Sequence, residues 1–103
     1  MITGDSVSII EGGNQSGAFY QCTGLLEADL GTGITSIGVD TFNGCTSLAS
    51  IICRAYNPPI VAGAFRYMPT TTKFYVPHER VNVYKAANGW REFASRIFSI
   101  NDL

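Results

Sequence analysis

Ile37-Gly38-Val39-Asp40-Thr41-Phe42-Asn43-Gly44-Cys45-Thr46-Ser47-Leu48 is the stretch that decides the fold, because much of it recurs at one fixed distance on either side. Phe19, Phe42 and Phe65 stand 23 residues apart, each preceded by a small residue, Ala18, Thr41 and Ala64. Cys22-Thr23-Gly24-Leu25 returns as Cys45-Thr46-Ser47-Leu48 and Ile37 returns as Ile60, at the same interval. A fixed period in the twenties marks a solenoid: one coil cannot bury its own apolar face, so successive coils stack and share a core.

Superposing the coils aligns three short strands, Glu27-Ala28-Asp29-Leu30, Ser50-Ile51-Ile52-Cys53 and Lys73-Phe74-Tyr75-Val76. Strand alternation sends Ala28, Leu30, Ile51, Cys53, Phe74 and Val76 to one side, which is the core, and Asp29, Ile52 and Tyr75 to the other. Leu25 and Leu48 add core positions, Ile34 with Ile37 suggests a second extended piece in each coil, and Asn43-Gly44 supplies a turn. The phenylalanine ladder puts rings about one coil spacing apart, within the ~4.5–7 Å that favours offset stacking. The first coil is irregular: Val7 and Ile10 repeat the spacing of Ile34 and Ile37, and Gly12-Gly13-Asn14-Gln15 reads as an inserted loop. In the third coil Met68 replaces the cysteine, Thr71 the leucine, and Asn57-Pro58-Pro59 the segment that held Ile34.

After Val76 the periodicity changes. Pro77 suits a helix start, Val81 and Tyr84 share a face, and Gly89 supplies a stop. Trp90, Phe93, Ala94 and Ile97 then fall at i, i+3, i+4 and i+7, an apolar stripe that predicts further helix lying across the open end of the last coil. The expected organisation is a single domain over 1–103, with about three 23-residue coils over 5–76 and a C-terminal helical cap over 77–103.

Composition narrows the function classes. Hydrophobic residues make up 46% of the chain and charged ones 15%, which argues against disorder. A net charge of -1 with no basic run removes the electrostatic case for nucleic acid or anionic membrane. Apolar runs are too short to span a bilayer, and Met1-Ile2-Thr3-Gly4-Asp5 lacks the basic and apolar parts of a signal peptide. Cys22, Cys45 and Cys53 are expected to be free, buried thiols, because Cys22 and Cys45 hold one inward position in successive coils. Their spacing fits no zinc pattern. The lone His78 is expected to be a solvated helix-terminal residue, since the register brings no serine or cysteine to it. Asp29, Asp40 and Asp102 are scattered, and Gly12-Gly13 lacks the context of a phosphate loop. No cofactor and no enzymatic activity are expected.

The pattern Ile37 through Leu48, followed by Ile51 and Cys53, resembles the leucine-rich repeats of BspA-like surface proteins, common in gut and oral Bacteroidales. Cys53-Arg54-Ala55-Tyr56-Asn57-Pro58-Pro59 through Ala64-Phe65 is similar to the last repeat of such proteins. Phe74-Tyr75-Val76-Pro77, Val81, Tyr84-Lys85-Ala86, Gly89-Trp90 and Ile97 are similar to their C-terminal ending. The resemblance implies an α/β repeat fold, a right-handed leucine-rich-repeat solenoid with short stacked parallel strands and a small C-terminal helical cap. It further implies a secreted or cell-surface protein whose repeats bind a host or bacterial surface protein or glycan, with no catalytic residues to carry over.

On that basis the outward strand positions Glu27, Asp29, Ser50, Ile52, Lys73 and Tyr75 are the candidate binding residues, against the alternative of an ordinary solvated sheet face. At the level of the whole chain the leading expectation is a non-catalytic binding or adhesion module. Its competitor is a purely structural segment that closes a longer solenoid or serves as accessory to a larger protein. Self-association through the N-terminal coil is also expected, because no apolar helix covers Val7, Ile10 and Phe19.

Overall fold

The 23-residue register sets where strands form. The computed structural model describes residues 20–61 and 63–103, and strands β1 (Glu27–Leu30), β3 (Ser50–Cys53) and β5 (Lys73–Val76) occupy the three expected stretches. Between them lie two short pieces, β2 (Ser36–Ile37) and β4 (Ile60–Val61). After β5 come a 3-10 turn at His78–Arg80, helix α1 (Val81–Ala86), 3-10 turns over Arg91–Arg96, strand β6 (Ile97–Ser99) and a last 3-10 turn at Ile100–Asp102.

All four longer strands pair in parallel in chain order, β1-β3-β5-β6. Ala28 stands opposite Ile51, Ile51 opposite Phe74 and Phe74 opposite Ile97, so the interval is 23 at every step. The inward row is fully excluded from solvent: Ala28, Leu30, Ile51, Cys53, Phe74 and Val76 are buried, with Leu25, Leu48, Ile34 and Ile37 beside them. Phe42 stacks on Phe65 with centroids 6.1 Å apart and planes at 20°. Phe19, Val7, Ile10 and the glycine-rich insertion lie outside the described residues.

Two expectations are corrected. The stripe Trp90, Phe93, Ala94, Ile97 does not run along one helix: the 3-10 turns kink at Phe93 (φ -107°, ψ 16°), and Ile97 begins β6. The open edge of β5 carries unpaired backbone groups, and a β-branched residue followed by an aromatic pairs with it better than another helical turn could. The repeat thus continues one strand further than its apolar pattern suggests. The second correction concerns Ile60, which is not the equivalent of Ile37. Ser36 pairs with Ile60 and Ile37 with Val61, an interval of 24, so Ile37 is buried while Ile60 is 73% exposed. An extra residue in the Asn57-Pro58-Pro59 segment shifts β4 by one, and a one-residue slip turns a side chain to the opposite face.

Each coil turns through left-handed backbone at fixed places. Gln21, Gly44 and Tyr67, 23 apart, have φ of 55°, 82° and 61°, and Asp40 and Gly63 have 61° and 75°. Backbone bonds tie the turns of neighbouring coils together, Gln21 N–H to Asn43 O (2.7 Å) and Phe42 N–H to Ala64 O (3.1 Å). Buried Thr72 donates its hydroxyl to Leu48 O (2.8 Å), whereas Thr71, which the register equates with Leu48, is exposed.

Beyond the third coil, β6 continues the backbone ladder and side chains supply further hydrogen-bond donors. Tyr84 Oη donates to Ala55 O (2.6 Å), Arg80 Nε to Tyr56 O (2.8 Å) and Trp90 Nε1 to Pro59 O (2.9 Å). Arg96 Nη1 reaches both Pro69 O and Thr72 O at 3.1 Å. Five carbonyls of the third coil are thereby satisfied. Trp90 is fully buried among Phe65, Phe74 and Tyr84, with centroids 5.2, 5.7 and 4.9 Å away. The Arg96 guanidinium lies 5.0 Å from the Phe93 ring centroid, and burial lowers its pKa.

Cys45 and Cys53 are buried thiols outside any disulfide, as the register implies; Cys22, also outside any disulfide, is only partly buried, and here the expectation is corrected. Burial pushes the Cys45 thiol up to about 11 and raises that of Cys53, whose Sγ lies 3.4 Å from Tyr84 Oη.

Candidate functional site

The face of the four-stranded sheet opposite the core carries the candidate site. Alternation turns Glu27 and Asp29 of β1, Ser50 and Ile52 of β3, and Lys73 and Tyr75 of β5 to this side, and the parallel register sets them in rows. One row is Glu27, Ser50, Lys73. The other is Asp29, Ile52, Tyr75, and β6 extends it with Phe98. Tyr75 and Phe98 are tilted rings with centroids 6.0 Å apart, and Lys73 Nζ lies 5.8 Å from the Phe98 centroid.

All six residues expected from the sequence therefore lie on one face, but not all are accessible. Lys73 is exposed, and Glu27, Asp29, Ser50 and Tyr75 are half-buried. Ile52 is only 4% exposed, which corrects the expectation of an exposed apolar anchor there. It occupies an inner strand between Asp29 and Tyr75, where side chains on both flanks crowd an aliphatic group of its length. The accessible aromatic surface moves one strand on, to Tyr75 and Phe98.

Two residues of this face escape the repeat alignment. Phe98 follows Tyr75 by 23, so continuing the register past the apparent end of the repeats would have found it. Arg54 continues the outward alternation Ser50, Ile52 beyond the end of β3. Its Nε and Nη2 donate to Asp29 Oδ1 and Oδ2 at 2.8 and 2.9 Å, a bidentate pair across adjacent strands that raises the arginine pKa. With side chains 42% and 26% exposed, the pair is worth under ~1 kcal/mol to stability. Its larger effect is to offset the charge of Asp29, so the acidic end of the face is less negative than its sequence suggests.

His78 is exposed at the start of the first 3-10 turn, as expected, but a serine does reach it: Ser99 Oγ lies 3.0 Å from its Nδ1. The strand β6, unforeseen in the sequence, brings the two together. The pair has a structural explanation in the final turn, where Ser99 Oγ accepts from Asn101 N–H (2.9 Å) and Ser99 N–H donates to Asp102 Oδ2 (3.2 Å). The Asp102 carboxylate thus caps backbone, whereas a serine-histidine catalytic arrangement requires a carboxylate that orients the imidazole. Among the described residues no group of three or more His, Cys, Asp or Glu could hold a metal ion, and no helix is long and apolar enough to cross a membrane.

Parallel strands of one four-stranded sheet stacked at a 23-residue interval, left-handed turns recurring at the same interval, and a phenylalanine stack between neighbouring coils define a leucine-rich repeat protein. The family model described as BspA type leucine rich repeat region (6 copies) matches residues 13–89, and the chain belongs to that family. No curated protein and no solved structure matches the chain. Leucine-rich repeats of this kind are generally non-catalytic and consistent with protein binding or adhesion.

Proposed function

We propose that the chain is a non-catalytic protein-binding module of a secreted or cell-surface leucine-rich repeat protein, and that its partner docks on the outer sheet face. One observation carries this reading: the row Asp29, Ile52, Tyr75, Phe98 runs in register across all four strands and ends in two adjacent aromatic rings. Aromatic anchors inside a rim of mixed charge, supplied here by Glu27, Ser50, Lys73 and the Asp29–Arg54 pair, are the usual composition of a binding hot spot. The partner is a host or bacterial surface protein. Immobilised extracellular-matrix and bacterial surface proteins, screened with the native chain, provide the test. Tyr75→Ala combined with Phe98→Ala should weaken any specific interaction about tenfold or more. Full binding by a folded double variant refutes the site.

A second reading has its own support. The five carbonyls bonded by Arg80, Tyr84, Trp90 and Arg96 support reading residues 77–103 as a cap on the last coil. On this reading the chain closes a longer array. Deletion of 77–103 should then yield an aggregating product, because core and strand edge are bared together. A soluble, monomeric truncation with unchanged strand content argues against it. Self-association through the N-terminal coil belongs to the same picture, and light scattering across a concentration series tests it.

A further inference from the structure

Between β3 and β4 the stacking of coils is interrupted. Arg54 N–H donates to Leu30 O (3.2 Å) at one end of the gap and Ile60 N–H to Thr35 O (3.0 Å) at the other, while Pro58 and Pro59 have no N–H to offer in between. The gap opens a cavity of about 400 Å³ lined by residues 32–35 and 55–58, a size typical of small-molecule sites. It lies just beyond the carboxyl ends of β1 and β3, the usual end for ligands in parallel sheets.

No acidic or basic residue lines this cavity. Ile34 and Ala55 are buried and form an apolar floor, while Thr32, Thr35 and Asn57 are exposed at its walls. Tyr56 stands at the rim, 64% exposed yet held in place. The Arg80 guanidinium carbon sits 3.9 Å from its ring centroid, and Arg80 is fixed by donating to Tyr56 O and, from Nη2, to Asn57 Oδ1 (3.2 Å). One face of the ring is braced by the cation, so a ligand stacking on the remainder meets a platform that is already ordered. Asn57, with its carbonyl oxygen engaged by Arg80, keeps its NH2 group as a donor.

We propose that this cavity binds a neutral saccharide unit. A pyranose has an apolar C–H face to lay on an aromatic ring and a periphery of hydroxyls to exchange hydrogen bonds with threonine hydroxyls and a carboxamide. An ionic ligand would lose its hydration here without gaining a charged partner on the lining. The site is separate from the outer sheet face and goes beyond the protein-binding reading, so either can fail alone.

The test is an amide NMR titration of the full chain with glucose, galactose, fucose, N-acetylglucosamine and their β-linked disaccharides, each taken to tens of millimolar. At least one sugar should give saturable shifts centred on residues 32–35 and 55–58. Tyr56→Ala should weaken it about tenfold or more, and Thr35→Val, which keeps shape but removes a hydroxyl, several-fold. Tyr75→Ala should leave it unchanged, which separates this site from the sheet face. Arg80→Ala should weaken binding while Tyr56 remains present, as loss of the brace requires. The proposal is overturned by the absence of saturable shifts with every neutral sugar, by shifts that Tyr56→Ala leaves intact, or by preference for an anionic sugar such as sialic acid.

Discussion

Tyr84→Phe isolates one of the side-chain donors that serve the third coil. The ring stays, so its packing 4.9 Å from Trp90 is kept, and only the hydroxyl that donates to Ala55 O at 2.6 Å is lost. Ala55 is buried, so its carbonyl is left poorly solvated when the donor goes, and Cys53 Sγ, 3.4 Å from the same hydroxyl, loses that partner as well. Leaving a buried acceptor unsatisfied costs ~1–3 kcal/mol, a large share of the ~5–15 kcal/mol that holds a domain of this size together. With a urea slope of ~1–3 kcal/mol/M, the midpoint of unfolding should fall by about 1 M at unchanged slope. Trp90, the sole tryptophan, reports the transition by fluorescence without any added probe. Tyr56→Phe, at an exposed phenol, serves as the control and should be near neutral. A midpoint for Tyr84→Phe within ~0.2 M of the wild type would mean that the carbonyl finds another donor and that the capping argument is wrong.

Alkaline pH should weaken the fold. The unfolded thiol releases its proton near 9.0, whereas folded Cys45 holds it until about 11, so the folded state binds more protons in that window and stability falls as pH rises through it. Cys53 and Tyr84 act with the same sign, and Cys45→Ala should flatten the decline in urea midpoints measured between pH 8 and 11. Native maleimide labelling should give one fast equivalent, from Cys22, and two more only on unfolding; three equal native rates would contradict the burial of Cys45 and Cys53. Gly44→Ala should cost at least ~1–2 kcal/mol, because φ is +82° and a Cβ would stand 2.9 Å from Gln21 Cγ and 3.2 Å from its Cα. At the equivalent exposed position, where Tyr67 has φ 61°, Tyr67→Gly should gain about 0.5–1 kcal/mol, and opposite signs in thermal melts are the check.

The coils were legible because a repeat amplifies weak local signals. Four-residue strands such as Ser50–Cys53 carry little information alone, but three of them at one interval fix both register and core. Legibility ends where the pattern ceases to be local. The i, i+3, i+4, i+7 spacing of Trp90 to Ile97 is a valid helical pattern, yet the edge of β5, created by residues 23 earlier, takes Ile97 into the sheet. The same missed strand hid Phe98 and the approach of Ser99 to His78. Ile52 was placed on the right face but given the wrong exposure, since alternation assigns a direction and says nothing of what flanks the residue. The extra residue before β4 was masked by Ile60, whose identity matches Ile37 although its surroundings do not.

The agreement between sheet order and chain order has a mechanical consequence. Because β1, β3, β5 and β6 follow one another across the sheet as they do along the chain, tension between the chain's ends pulls at right angles to the strands. Bonds in each ladder then part in succession instead of sharing the load as they would in shear. Each coil released pays out 23 residues, an extension of about 70 Å, while the neighbours keep their own contacts. Under pulling such an array lengthens in equal steps at low force, and its C-terminal end, tied by side-chain donors and the buried aromatic cluster around Trp90, is the step that should yield last.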